Sequence, residues 1–553
     1  MFPSERKMYI CEYFNLITHG FMMLNSVKNK LNVPLVLFFA WLVYYTFFFV
    51  NYWDYVTDDT RIFFRFAENI ASGKGIVWNV SDGPVESVTS PLYLLLFIVP
   101  TMLKLNLIVV AKILNVIFLF TSIYYLYKLL TLTVTQESMK VAAMVAILIP
   151  FSIPEIFFET FNGMETTLFL LFTTLMAFLA TKLIIEKNVK LIRTFTIVCF
   201  VAFLCRPEGA MIGGILLIWI FLSFLKDWPF IKQLVLSYSI FFVVPFILYM
   251  GWRVYYFHDI FPTPYYVKAG FTILRMHANF IKFIGKDFFY VVPLLFIPRY
   301  IYQNKSMRAI LIASLCVLSY YSITNATAAG GGWNRYYLIT MIYFKVILFY
   351  SLFLLIIELN LTFINTFLNY ASKLFLLALT ILIPYYLYAW QSRQFLKAQY
   401  DYMGVLVELN KNFTIKIEDI LKNTNHSVLI RDAGQGYYLK REVIDLAGLT
   451  DAYISKLAID RLDRPEHEKG ILDYIYEKRK PDVFLLSSNT PDGAGNKNGV
   501  TELFQDERFQ RDYTLIGKQY ISAYSYYMIV ALRKDLPDYD KLALDLNEAC
   551  KKE

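Results

Sequence analysis

Long apolar runs dominate this chain and limit what it can fold into. Of its 553 residues, 57% are hydrophobic and only 18% are charged. A water-soluble domain cannot bury that much apolar surface, so we expect a lipid bilayer to surround most of the chain. Candidate membrane spans are the runs 33–52, 92–103, 107–130, 141–158, 166–185, 191–205, 210–225, 231–256, 280–297, 309–323, 338–357 and 374–390.

The charges between these runs predict how the chain crosses the membrane. Cations are frequent before the first run and in several loops, namely Arg6, Lys7, Lys28, Lys30, 182–193, 226–232 and 299–308. The positive-inside rule puts these segments in the cytoplasm, so 1–32 is expected to be a cytoplasmic N-terminal segment. It shows no short apolar core with a cleavage site, and no signal peptide is expected. Because the net charge of +9 is spread over such loops, we expect no nucleic-acid partner.

Two prolines interrupt one of the runs. Pro150 and Pro154 lie inside 141–158, and an interior proline removes a helix hydrogen bond. We expect this run to be re-entrant or a paired half-helix, which leaves about eleven crossings. The polar segments rich in Gly and Pro then share the outer side: 53–91, 163–166, 206–209, 258–268 and 330–337.

The chain changes character after a transmembrane module that we place at 33–390. Charge rises, and short apolar runs bounded by turn residues predict β-strands at 426–434, 441–449, 481–488, 512–520 and 525–533. The charged segment 445–476 is typical of a helix. We therefore expect a polytopic α-helical membrane protein with a soluble α/β domain at 391–553, on the periplasmic or extracellular side.

The first outer loop contains an amphipathic pattern. On a helix, one face would carry Asp58, Arg61, Arg65 and Glu68, and the other would carry Ile62, Phe63, Phe66 and Ile70. We expect a helix at the membrane surface that ends at Ser72-Gly73. Asp59 would project roughly 100° away from Asp58, so the two acids can have different partners. The alternative interpretation is purely structural, with a capping acid and an Asp58–Arg61 pair.

These residues also resemble a known family. The run DDTRIFFRFAENIASGKGIVWN and the following PVESVTSPLY are similar to the first-loop signature of GT-C glycosyltransferases related to the mycobacterial terminal arabinofuranosyltransferases. GMETTLF, LCRPEGA, FPTPYYVK, GGGWNRYYL and RDAGQGYYLKREVIDLAGLTD extend the resemblance, in order, over most of the chain. The chain departs from the signature at Thr60-Arg61, at Ser87-Val88 and at Tyr93, where the family has Ala-Tyr, Gly-Tyr and Trp.

The resemblance implies an activity. A sugar, in this family a pentofuranose such as arabinofuranose, would move from a polyprenyl-phosphate carrier to a hydroxyl of a cell-envelope glycan or glycolipid. The reaction would take place at the outer face of a bacterial cytoplasmic (inner) membrane. No cofactor is assigned. The acid pair could hold a divalent cation, although the sequence shows no full ligand set.

Each role in this activity implies particular residues. The general base would be Asp58 or Asp59. Cations for the departing phosphate would be Arg65, Arg206, Lys268 and Arg335. Acids that bind hydroxyls and aromatics that cover sugar rings would be Glu86, Glu165, Tyr265, Tyr266, Trp333 and Asp432.

Each of these interpretations has a simpler competitor. Interfacial cations often meet lipid head groups or pair with acids, and Arg206 has Glu208 beside it for a structural pair. Tyr and Trp are also the usual residues of a membrane interface. At the level of function, the alternative is a transporter or flippase of lipid-linked sugars. That class favours internal repeats and mid-span charges, and the sequence shows no repeat and few such charges.

Overall fold

The computed structural model describes residues 32–51, 53, 56–268, 298–324, 337–358, 406–458, 465–488, 490, 500–521 and 526–551. The helices of the apolar part are α1 Val33–Asn51, α2 Asp58–Ala71, α3 Pro91–Met102, α4 Leu107–Leu130, α5 Glu137–Leu148, α6 Pro154–Phe161, α7 Thr166–Glu186, α8 Val189–Cys205, α9 Glu208–Ser223, α10 Trp228–Tyr238, α11 Val244–Phe257, α12 Thr263–Lys268, α13 Pro298–Gln303, α14 Lys305–Thr324 and α15 Leu338–Glu358. Every predicted run within the described residues lies on one or more of these helices. The runs 280–297 and 374–390 lie outside the described residues.

Within the described chain, the helices that are long and apolar enough to cross a membrane are Leu107–Leu130, Thr166–Glu186, Trp228–Phe257 and Leu338–Leu355. The third of these joins α10 and α11 through a π-helical turn at Ser239–Val243. Near Pro150 and Pro154 the chain bends by 70° between α5 and α6, so the predicted break is present, and the bent pair would be a fifth span. The prediction of eleven crossings stays a prediction.

The C-terminal part folds around a mixed sheet. Its strands are β1 Val428–Ile430, β2 Val443–Asp445, β3 Val483–Ser488, β4 Tyr513–Ile521 and β5 Tyr526–Arg533. Each lies in a predicted run, except that β4 extends one residue beyond its run. The order is β2-β1-β3-β5-β4, with β2, β1 and β3 parallel and the β4–β5 hairpin antiparallel. The helices of this part are α16 Leu406–Leu421, α17 Ala452–Ala458, α18 Pro465–Asp473, α19 Val500–Gln505, α20 Glu507–Asp512 and α21 Tyr539–Lys551.

The sheet is buried on both faces except at its edge strand β4, which is partly exposed. Val428 and Ile430 on β1 belong to the main core, together with Ile417 of α16 and Leu546 of α21. Leu429, between them, belongs to a second core on the opposite face. Strands covered on both faces read as continuous apolar runs, which is why the sequence predicted them.

Helix α2 lies between the two parts of the molecule. Every residue from Thr60 to Ala67 is buried, because α2 packs on α3 on one side and on the 3-10 turn Ala433–Tyr437 on the other. The predicted helix is therefore present. Arg61 and Arg65 of its polar face contact the C-terminal part, and the position of the helix at the membrane surface stays a prediction.

Candidate active site

A cavity of about 290 Å³ lies where the first loop, the helix bundle and the C-terminal part meet. Its charged lining residues are Asp59, Glu86, Glu165, Arg206, Glu208 and Arg253. Aromatic side chains cover other parts of the wall, among them Tyr249, Tyr265, Tyr320 and Tyr321. Of the residues that the sequence predicted for a site, the structure brings Asp59, Glu86, Glu165, Arg206 and Tyr265 together here.

The first turn of α2 is held against the turn that precedes α7. The Asn162 carbonyl accepts hydrogen bonds from the Thr57 backbone N–H at 3.0 Å and from the Thr60 hydroxyl at 2.8 Å. Gly163, with a positive φ of 84°, lies directly against Thr60, where a Cβ would meet Thr60 Cγ2 at 2.7 Å. Two motifs that are about a hundred residues apart in sequence are thus joined, and Asp59 and Glu165 line the same cavity.

Asp58 has a different environment from Asp59. Its carboxylate accepts a hydrogen bond from the Gly434 N–H at 2.9 Å and lies 4.0 Å from Arg61 Nη1. Burial raises the pKa of the Asp58 carboxyl to about 7; the charge of Asp432 adds to this effect and Arg61 opposes it. Burial also raises the pKa of Asp432. Neither Asp58 nor Asp432 is among the cavity-lining residues.

Arg206 links the ends of three helices. It leaves α8 in an extended conformation, with Pro207 starting the next turn. Nε donates to Glu208 at 3.2 Å and Nη1 donates to Glu165 at 2.8 Å. Nη2 donates to the Tyr321 hydroxyl at 2.7 Å. The expected pair with Glu208 is present, and Glu165 is a second carboxylate on the same guanidinium.

Glu86 pairs with a cation that the sequence interpretation missed. Its carboxylate is in close contact with Arg253 Nε, and both side chains are buried. Burial raises the pKa of Glu86, and Arg253 opposes this shift. The Glu86 carbonyl also accepts from the Thr263 N–H at 2.9 Å, which fixes the start of α12. The available signal was an arginine inside the long apolar run 231–256, since charges in such runs are rare and usually functional.

Arg65 lies apart from the cavity. Its guanidinium stacks on Trp78 at 4.4 Å and donates to the backbone carbonyls of Leu439 and Arg441 at 2.8 Å each. It also contacts the carbonyl of Gly436. Its donors therefore hold the C-terminal part against the first loop.

The remaining predicted residues are placed as follows. Tyr266 donates its hydroxyl to Asp259 at 2.5 Å and is not among the cavity-lining residues. Lys268 ends α12, and its side chain lies outside the description. Arg335 and Trp333 lie outside the described residues. Among the residues that are described, no group of three or more His, Cys, Asp or Glu side chains could hold a metal ion.

The fold and this site define a multi-pass membrane protein of the GT-C fold. The chain is similar to the crystal structure of ArnT from Cupriavidus metallidurans bound to undecaprenyl phosphate, with a TM-score of 0.52 and 10% sequence identity. That similarity covers 90% of this chain and 98% of the other. The apo structure of the same protein matches with a TM-score of 0.49 at 11% identity, covering 89% of this chain and 98% of that one.

This likeness confirms the predicted GT-C fold, and the arabinofuranosyltransferase-like branch stays a prediction. Residues 397–534 match a family described as a domain of unknown function, DUF8728. A search of curated proteins found no match.

Proposed function

We propose that this protein transfers a sugar from a polyprenyl-phosphate carrier to a hydroxyl of a cell-envelope glycan or glycolipid. The observation that carries the proposal is the cavity, because it combines Asp59 with two buried arginines and further carboxylates. The fold supports it, since the similar ArnT structure is bound to undecaprenyl phosphate. The first-loop resemblance supports a pentofuranose such as arabinofuranose as the sugar, and the outer face of a bacterial inner membrane as the place of reaction.

Asp59 is the proposed base. The Asp59 carboxylate takes the proton of the acceptor hydroxyl while the acceptor oxygen bonds to the anomeric carbon of the sugar. The bond from that carbon to the phosphate oxygen breaks, and its electron pair leaves with the phosphate. Cations stabilise the charge that grows there. Asp58 is the weaker candidate, because its carboxylate is directed to Gly434 instead of the cavity.

Other roles follow from the contacts. Glu165 binds a sugar or acceptor hydroxyl, and Arg206 chiefly orients it, because each Arg206 nitrogen already donates to a neighbour. Tyr265 covers a ring face from the cavity wall. Lys268 and Arg335 remain proposed phosphate ligands on the strength of their sequence motifs, and Trp333 remains a proposed sugar contact on the same basis.

Asp59→Asn tests the base assignment. The change keeps the size of the side chain and removes its ability to take a proton, so we expect turnover to fall by about 10²–10⁴-fold. The measurement is release of free carrier by purified protein from a small panel of radiolabelled polyprenyl-phosphate sugars. Asp512→Asn, on an exposed pair with Arg511, is the matched control and should keep full activity.

Two outcomes would contradict these assignments. Normal turnover in a folded Asp59→Asn variant would reject Asp59 as the base. Movement of intact donor across the membrane without release of free carrier would instead identify a transporter.

A further inference from the structure

Two charged side chains in the cavity wall have polar atoms without hydrogen-bond partners among the described residues. These atoms are Arg253 Nη2 and Glu165 Oε2. The exposed fraction is 5% for Arg253 and 3% for Glu165. Buried polar atoms are nearly always hydrogen-bonded in native proteins, and a charged group left unpaired is costly. The missing partners indicate a ligand in the cavity. It would offer a hydrogen-bond acceptor to Arg253 Nη2 and a donor to Glu165 Oε2.

The two arginines of the cavity differ in this respect. In Arg206 all three guanidinium nitrogens donate to side chains of the wall. In Arg253, Nε is taken by Glu86, while Nη1 donates to the Ile260 carbonyl at 2.6 Å and lies 4.0 Å from Met250 Sδ. Nη2 of Arg253 is the one guanidinium nitrogen of these two arginines that has no hydrogen-bond partner among the described residues. Of the two, Arg253 is therefore the better prepared to bind an anion.

We propose that Arg253 binds the phosphate of the lipid-linked donor through Nη2, while Glu165 Oε2 accepts a hydrogen bond from a hydroxyl of the attached sugar. The inference rests on the proposed function and deepens it, because it assigns one residue to the phosphate and another to the sugar of the donor. Glu86 and the Ile260 carbonyl hold the guanidinium in place, so little reorganisation is needed when the anion arrives.

A phosphate suits Arg253 better than a neutral group does. The guanidinium is permanently charged, and its hydrogen bonds to phosphate oxygens are charge-assisted. Glu165 has the opposite need, since an ionised carboxylate only accepts hydrogen bonds, and sugar hydroxyls donate them. A sugar phosphate carries both kinds of group.

Arg253→Lys tests the phosphate contact. Lysine keeps a positive charge for Glu86 and loses the second terminal nitrogen. We expect at least tenfold weaker binding of sugar-free polyprenyl phosphate, a similar rise in KM for the sugar-bearing donor, and little change in KM for the acceptor. Arg511→Lys, on the exposed surface, is the matched control and should bind both lipids as the wild type does.

Glu165→Gln tests the other end of the donor. The glutamine oxygen can still accept from Arg206, whereas its amide N–H₂ replaces the free acceptor. We expect sugar-free carrier to bind as in the wild type and the sugar-bearing donor to bind at least tenfold more weakly.

The outcomes are separable. Wild-type affinity for sugar-free carrier in Arg253→Lys overturns the inference and leaves the proposed function standing if that variant and the wild type transfer sugar. Loss restricted to the sugar-bearing donor assigns Arg253 to the sugar and overturns the phosphate assignment. A wild type that neither binds carrier nor transfers sugar rejects the proposed function itself.

If Arg253→Lys does not fold, Glu86→Gln combined with Arg253→Gln removes both charges of the pair together and must show the same loss of carrier binding.

Discussion

Two adjacent acids of the first loop have different surroundings. Asp59 lines the cavity, and Asp58 accepts a hydrogen bond from Gly434 and lies near Asp432. The helical spacing predicted that the two acids would diverge. It could not predict their partners, because Gly434 lies almost four hundred residues further along the chain.

The raised pKa of the Asp58 carboxyl predicts a pH dependence. The ordinary pKa of aspartate is 3.8, and burial against the C-terminal part raises that of Asp58 to about 7. The folded state therefore binds this proton more tightly than the unfolded chain does. Its stability is greatest at low pH and falls as the pH rises towards the raised pKa. We expect the unfolding temperature to rise as the pH is lowered from about 8 to about 5. The free energy of unfolding should increase by an amount on the order of 1 kcal/mol from Asp58 and Asp432.

Asp432→Asn removes the charge that adds to the pKa shift of Asp58, together with the interaction between Asp432 and Asp59. Asp445 also has a pKa raised by burial to about 7, so the wild type has more than one source of pH dependence. Removing the Asp432 charge should stabilise the protein near pH 8 and flatten the pH profile relative to wild type. An unchanged profile would show that the two carboxyls do not interact.

Single residues also mark the limit of sequence interpretation. The acids and aromatics of the outer loops could be assigned to a site from motif resemblance. Arg253 could not, because no motif names it and its partner Glu86 lies 167 positions away in sequence.

At the scale of elements, α2 owes its position to contacts on its polar face. Arg65 binds backbone carbonyls that follow the 3-10 turn, and Asn79 pairs with both backbone groups of Val443, at 2.8 and 3.0 Å. Val443 is on the edge strand β2, so Asn79 and Trp78 occupy hydrogen-bonding positions that an additional strand would take. The first loop is thus hydrogen-bonded to the edge of the sheet.

Gly436→Ala tests this contact by sterics. A Cβ at Gly436 would lie 2.9 Å from Trp78 Cη2. The indole is held by its stacking on Arg65 and by its N–H, which donates to the Val443 carbonyl at 3.2 Å. We expect a destabilisation of about 1–3 kcal/mol, typical of overpacking. The measurement is hydrogen exchange, which should become faster in residues 428–445.

The control is Gly214→Ala. A Cβ at Gly214 would have nothing within 4 Å, so this variant should exchange like the wild type. Equal exchange in the two variants would show that the close approach of Gly436 to Trp78 is not needed.

Helices and strands could be predicted where the sequence pattern that defines them is local. Short runs bounded by turn residues identified all five strands, and the prolines identified the bend before α6. The sheet order could not be predicted, because β3 pairs with both β1 and β5 and those choices depend on packing between distant segments. The contacts of the polar face of α2 could not be predicted for a similar reason, since the surface that covers it is encoded near the other end of the chain.

For the whole molecule, the C-terminal part is a component of the site. Leu449 lines the cavity, and its carbonyl accepts a hydrogen bond from the Thr263 hydroxyl at the start of α12. Lys456 pairs with Asp259 at 2.7 Å nearby. The order of motifs along the chain was enough to predict the GT-C fold. The contacts between the C-terminal part and the region around α12 could be identified only from the structure.

The side of the membrane on which this part lies can be measured. We expect the outer side, so a cysteine introduced at exposed Lys541 should react with a membrane-impermeant reagent added from outside. Cys199, Cys205, Cys316 and Cys550 are buried and should react slowly. A cysteine at Lys226, in a basic loop, should react only after the membrane is opened. Labelling with the opposite sidedness would overturn the topology.

The contribution of Leu449 to the cavity has a consequence for biogenesis. A ribosome makes the chain from its N-terminus, so α2, α7 and α11 are synthesised before residues 428–449 exist. A nascent or truncated chain could insert its apolar helices and would still lack Leu449, which the C-terminal part contributes to the cavity lining. The cavity is therefore complete only when residues 428–449 have been made and have folded against the loop. Under the proposed function, we expect a shorter copy to leave the lipid carrier unused.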